Sequence, residues 1–267
     1  MPIEWIDTHC HLQMPAFAGD LQAVVARARR LGMRDAVICS TSRHDWAACA
    51  RLSRTFGLHY TLGIHPYYVD EAGPDDLLCL DEAVSQALSD PHFVGIGEIG
   101  LDGMIQADAK KQELFFARQL KMAQARGLPV SIHNRKSAPR LIKYLRRHPV
   151  TAGVLHAFNG SVQEREIFIQ LGLSLGFGGA LTYAGSRRIH QHAADVPEQQ
   201  WVLETDAPDM LTETRRRAGA IRTDLDDIRE VFEKMAFLRR LTPAQASKAA
   251  CENACLAFPR LKTVDKC

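Results

Sequence analysis

The run IEWIDTHCH ends in His9-Cys10-His11. Side chains along a strand alternate faces, so the two imidazoles point one way and the Cys10 thiol the other. A pair of imidazoles is half a metal site. Further metal-capable side chains recur in later apolar runs: Glu98 in FVGIGEIG, His133 closing LPVSIH, His156 closing AGVLH and Asp206 closing WVLETD. Four imidazoles and two carboxylates exceed what one catalytic ion needs, since such an ion keeps positions open for water and substrate. They suit two divalent ions joined by a bridging carboxylate. Glu98 is the expected bridge between one ion held by His9, His11 and Asp206 and another held by His133 and His156. Glu98 and Asp206 are then the catalytic carboxylates, with Asp206 orienting and deprotonating an attacking water and later protonating the leaving group. Mixed imidazole and carboxylate ligation accepts zinc, manganese, iron or nickel, whereas magnesium prefers oxygen; Mg, Mn and Zn are the working candidates. A closed zinc site that only staples the fold would favour thiolates and four ligands, which this set does not offer.

Three more residues are expected beside the substrate. Arg135, two positions past His133, carries a guanidinium able to grip a phosphate with two hydrogen bonds. His65 in GIHP is expected to bond a phosphoryl oxygen or the attacking water rather than an ion. Asp102, four residues after Glu98, is expected to orient a neighbouring ligand histidine. Tyr67, Tyr68, Phe158 and Tyr183 offer faces on which unpaired bases could stack, with ordinary loop packing as the alternative. Arg215, Arg216 and Arg217 form a basic step read mainly as solvated. His190 and His192 repeat the H-x-H spacing within a helical stretch, where residues two apart do not share a face, so they are expected to be solvent-exposed.

Such distant residues meet only if the fold gathers them. Short apolar runs alternate with helix-periodic stretches: IEWIDTHCH, a helix from Asp20 to Leu31, DAVICST, a helix near Asp45 to Phe56, HYTLGIH, a helix across Leu77 to Leu88, and FVGIGEIG. The alternation continues with a helix from Lys111 to Arg126 closed by Gly127, LPVSIH, a helix from Pro139 to Arg147, AGVLHAF, a helix from Val162 to Leu171, LSLGFGG, a weak helix near Ile189, and WVLETD. Two helices follow, near Leu225 to Arg240 and Pro243 to Cys255, the second announced by Thr242-Pro243. Eight strands with intervening helices specify an α/β TIM (β/α)8 barrel, in which strand ends share one mouth. A length of 267 residues fits one such domain, 1–267.

Charge narrows the function little: 33 Lys and Arg against 31 Asp and Glu give almost no global attraction to a polyanion, so any nucleic-acid surface must be local. The start of the chain lacks a signal-peptide pattern and no apolar run approaches a membrane span, which points to a cytoplasmic protein. Seven scattered cysteines without CxxC spacing read as reduced thiols, with Cys251 and Cys255 as small buried helix residues.

The motifs DTHCHL, GIHP, GEIGLD, LPVSIHNR, HAFNG and ETDAPDM together resemble the TatD family of metal-dependent hydrolases along nearly the whole chain, and ETDAPDM resembles its YjjV-like branch. The resemblance implies a TIM barrel of the metal-dependent hydrolase, amidohydrolase-like type with a two-metal centre, its ligands falling on His9, His11, Glu98, His133, His156 and Asp206. It also implies deoxyribonuclease activity, in some members a 3′ to 5′ exonuclease on single-stranded DNA or RNA. Many relatives have HCFSG where this chain has HAFNG, and an RNEP-like stretch where it reads ETRRRAGAIRTD. The leading expectation is a phosphodiesterase acting on single-stranded nucleic acid, with no membrane and no obligate protein partner. The alternative is an enzyme hydrolysing a small amide, lactone or phosphoester on the same scaffold.

Overall fold

In a computed structural model, which describes residues 3–263, eight parallel strands pair in sequence order, β1 to β8. They are β1 Trp5–Cys10, β2 Met33–Cys39, β3 His59–Leu62, β4 Phe93–Asp102, β5 Val130–Arg135, β6 Gly153–Leu155, β7 Ser174–Phe177 and β8 Trp201–Leu203. The seam between first and last strands is closed by the Asp206 amide donating to the His9 carbonyl at 2.9 Å and the His11 amide donating to the Ala207 carbonyl at 2.7 Å. Buried side chains reinforce it. The Thr8 hydroxyl donates to the Leu203 carbonyl at 2.9 Å, and Asp7 accepts from the Thr205 amide at 3.0 Å and the Thr205 hydroxyl at 2.6 Å. The molecule is a TIM barrel. The expected domain bounds, 1–267, run past the described residues at both ends.

The helices that surround the barrel are α1 Leu21–Leu31, α2 Trp46–Phe56, α3 Pro74–Ala87, α4 Ala109–Arg126, α5 Ala138–Arg147, α6 Val162–Gln170 and α7 Arg187–Asp195. Three follow the last strand: α8 Glu213–Arg217, α9 Ile228–Leu238 and α10 Pro243–Ala257. Their ends follow local chemistry. Asp108 accepts from the amides of Lys110 and Lys111 to start α4, Ser161 and Glu164 form a capping box on α6, and Gly127 closes α4 in a left-handed conformation. The five-residue α8 has no buried face, so its sequence carries no apolar period to announce it.

Two apolar layers hold the barrel. Trp5, Phe17, Leu80, Phe116, Phe168 and their neighbours fill the space between strands and helices. Inside, Val37, Val94, Val154 and Val202, one from each even-numbered strand, form a layer with Ile6. Branched residues from alternate strands are how such barrels fill their centre. Ala254, Cys255, Phe258 and Leu261 join that layer, so α10 and the turn after it plug the floor. The site is left to the opposite rim.

The expected exposure of His190 and His192 is not what the fold contains. His192 is buried and its Nε2 lies 2.9 Å from the Gly160 carbonyl, while His190 is half-buried with Nε2 at 2.9 Å from the Leu181 carbonyl. Ile189, His192 and Ala193 form the inward stripe of α7, and the 3.6-residue period sends His192 inside.

Candidate metal centre

β1, β4, β5 and the turns after β6 and β8 deliver the six expected ligand side chains to one rim. Within 4.8 Å of one another lie ligand atoms of three groups: His9, His11 and Asp206; His9, Glu98 and His156; His65, Glu98 and His133. Glu98 belongs to two of them because its oxygens diverge. Oε2 is 3.3 Å from both His9 Nε2 and His11 Nε2, whereas Oε1 is 3.2 Å from His133 Nδ1 and 3.4 Å from His65 Nε2. Asp206 reaches His11 Nε2 at 3.3 Å through Oδ1 and His156 Nε2 at 3.5 Å through Oδ2. His133 and His156 fall in different close groups, His156 with His9 and His133 with His65, and Glu98 is the carboxylate common to both.

An imidazole can bind a cation through one nitrogen if something else holds the proton on the other. His11 Nδ1 donates to the Cys39 carbonyl at 2.8 Å, and His9 Nδ1 lies 2.9 Å from the Ser131 hydroxyl. His133 Nε2 faces Asp102 Oδ2 at 3.0 Å, and His156 Nδ1 faces Glu204 Oε1 at 3.1 Å, off the line of an ideal hydrogen bond. In all four rings the other nitrogen turns toward Glu98 or Asp206. The donor set and its outer anchors fit divalent ions. His65 fails the same test: its Nδ1 accepts from the Tyr67 amide at 3.1 Å, so a neutral ring carries its proton on Nε2, the nitrogen aimed at Glu98. It is built as a donor.

The electrostatics agree. Burial drives the Glu98 carboxyl up, but His65, His9, His11 and His133 outweigh it and hold Glu98 well below the usual carboxylate range. Asp206 is likewise lowered, since His156 and His11 overcome the cost of burial. Burial and the nearby His156 keep His9 below its ordinary value, while burial of His11 is outweighed by Asp206 and Glu98, which raise it to about 10. The Nε2 atoms of His9 and His11 stand 3.2 Å apart, so two lone pairs would collide there and a positive charge between them is favoured.

Glu204 escaped the sequence reading, although it lies two residues before Asp206 in the same ETD triplet. It is fully buried; Oε1 also accepts from the Ala157 amide at 2.7 Å, and Oε2 has no partner among the described residues. Room for it comes from Gly176, where a Cβ would stand 2.2 Å from Glu204 Oε2. Around the rim, Lys136, Ala157 and Asp206 have φ of +53°, +48° and +58°. Non-glycine residues resist that region, and clusters of them mark sites where the surroundings impose geometry.

The remaining expectations divide. Arg135 is exposed, with Nη1 3.5 Å from the Tyr67 hydroxyl, and Tyr67 is 47% exposed and stands edge-on to His65. Phe158, expected to be available for base stacking, is buried against His192. Tyr183 donates to the Leu211 carbonyl at 2.8 Å and carries Arg216 over its ring. Arg215 is held by Asp224 and Asp227 at 3.1 and 3.0 Å, and Arg217 by Glu213 at 2.7 Å, so only part of the basic step is uncompensated.

Comparison with known proteins points the same way. The profile of the family described as TatD related DNase matches residues 6–259. A protein of Escherichia coli K12 named uncharacterized metal-dependent hydrolase YjjV is 35% identical over 214 residues, which cover 79% of this chain and 82% of the relative. A 3'-5' ssDNA/RNA exonuclease TatD of Edwardsiella piscicida is 30% identical over 214 residues, 77% of this chain and 80% of the relative. The crystal structure of YjjV from Escherichia coli K12 superposes with a TM-score of 0.90 at 31% identity, covering 97% of this chain and 99% of that one.

Proposed function

This chain belongs to the TatD-related DNase family of metal-dependent hydrolases, and on that premise we propose that it hydrolyses phosphodiester bonds of single-stranded DNA or RNA, as a 3′ to 5′ exonuclease. It is read as a cytoplasmic, single-domain enzyme that uses two divalent ions per chain, Mg, Mn or Zn. One observation carries the hydrolase reading: four imidazoles anchored from outside turn their remaining nitrogens onto the diverging oxygens of one buried glutamate and onto Asp206. The nuclease reading is supported by relatives named 3'-5' ssDNA/RNA exonuclease at about 30% identity.

His9, His11 and Asp206 would hold one ion and His133 and His156 the other, with Glu98 between them. Bound there, the ions would supply Lewis-acid polarisation of the phosphate and a nucleophilic water at neutral pH. Asp206 keeps one oxygen toward His11 and the other toward His156, which lets it accept the proton of the attacking water and return it to the departing 3′ oxygen. His65 donates from Nε2, a hydrogen bond suited to a non-bridging phosphoryl oxygen, and Arg135 at the rim holds the same phosphate by charge. Asp102 and Glu204 keep His133 and His156 in the ring orientation and tautomer that ligation needs.

The test is direct. Protein stripped of metal and reloaded with Mg²⁺, Mn²⁺ or Zn²⁺ should shorten 5′-labelled single-stranded DNA or RNA from its 3′ end, and Glu98→Ala should abolish this. Equal behaviour of the two proteins, or turnover of a small lactone or phosphoester with none on strands, would overturn it.

A further inference from the structure

The chain's near-neutral total hides a polarised wall. Between residues 109 and 147 stand eleven lysines and arginines and one acidic residue, Glu113, whereas the whole chain has 33 and 31; everything outside that window is net acidic. The window is α4, β5 and α5, so its cations share two adjacent helices and the strand that carries His133 and Arg135.

Their arrangement is linear. Arg135 ends β5 at the rim beside Tyr67, and Lys136 follows it. Along α5, Arg140, Lys143 and Arg147 are spaced three and four apart, which puts them on one face. Helices leave the rim of a barrel and run down its outside, so this row descends about 15 Å from the site along ten residues. Glu113 is its one carboxylate, shared by Arg140 at 3.7 Å, Lys143 at 3.9 Å and the Tyr144 hydroxyl at 2.6 Å. Lys143 and Arg147 also lie over the Tyr144 ring, which fixes the middle of the row. Some cations of α4 are committed, Arg126 to Asp81 and Lys111 to the Asp70 carbonyl. Among the described residues Lys136, Arg118, Lys121, Arg146 and Arg147 have no carboxylate partner.

We propose that the outer face of α5, headed by Arg135 and Lys136, is a track for the phosphodiester backbone of a single strand whose 3′ end occupies the site. The proposal rests on the nuclease reading and adds where the rest of the substrate goes. A row of cations that begins at the catalytic rim and continues away from it matches a polymer that is fed through one end. A lipid surface would need no such starting point.

The probe is a fluorescein-labelled phosphorothioate dT 20-mer, with a dT trimer and an RNA 20-mer beside it, bound to the Mn²⁺-loaded protein across a salt series. Neutralising Arg140, Lys143 and Arg147 to Gln should weaken 20-mer binding on the order of tenfold and make the slope of log affinity against log salt shallower by about 2, at roughly 0.7 per lost contact on a single strand. Trimer binding and trimer cleavage should not change, and Arg30, Arg229 and Lys248, on the far side of the barrel, should tolerate the same substitution. Wild-type affinity and slope in the α5 variant would overturn the track, as would capture of the protein by phosphatidylserine vesicles with no strand binding. If no phosphodiester is cleaved while the α5 variant still loses the 20-mer, the track stands and the nuclease reading falls. Cleavage of strands by a wild type indistinguishable from the α5 variant sinks the track alone.

Discussion

At the scale of single residues, the site is defined by which nitrogen of each histidine carries its proton. Glu204→Gln removes the charge that faces His156 Nδ1 while keeping its volume, so metal affinity should fall about 10- to 100-fold, the usual cost of disturbing a ligand's outer partner; titration with a metal-sensitive dye reads it, and unchanged affinity would show that Glu204 only fills space. His65→Gln should instead leave metal content intact and raise KM, because the ring is a donor and not a ligand; a drop in bound ions by atomic emission would contradict that. Asp206→Asn should keep the fold and lower kcat by roughly 10² to 10⁴ fold, the range for loss of an acid-base group. Much of this was legible in the chain. His9 and His11 announced themselves by spacing and Asp102 by its distance from Glu98, yet Glu204 did not, because an acid two residues from a ligand reads as surface until the glycine opposite it, Gly176, is seen to leave it a slot. The fate of His192 was hidden for a related reason: helical period tells which residues share a face, not which face is inside.

Among the elements, strands were easier to read than the segments after them. Parallel strands buried on both faces are near-continuous apolar runs, so all eight were visible, and long helices declared themselves through Asp, Ser and Gly at their ends. α8 and the short 3-10 turns were not, since three to five residues hold too little apolar pattern to register. α10 shows what an element after the last strand contributes. Its Phe258 is fully buried against the valine layer, and Phe258→Ala should cost about 3 to 5 kcal/mol through lost burial and the cavity left behind. Urea unfolding measures it; a change under about 1 kcal/mol would mean that the floor is not sealed by this helix. Gly176→Ala separates stability from site geometry: the methyl would push on Glu204 within the barrel, so metal affinity should fall with the Glu204→Gln variant, and the two changes together should not add.

For the whole molecule, composition said only that a charged surface would be local, and topology says where it lies. A net charge of +2 conceals an acidic body with one basic wall, and only the fold reveals that the wall starts at the rim. The barrel also sets a temporal order, through the seam where β1 meets β8. His9 and His11 come from the first strand and Asp206 from the turn after the last, and backbone hydrogen bonds between these very residues close the circle. A ribosome therefore releases the opening pair of histidines roughly two hundred residues before the aspartate that completes their group. Chains arrested before that point would hold histidines but no finished cradle. The cradle is thus finished by the same step that closes the circle of strands.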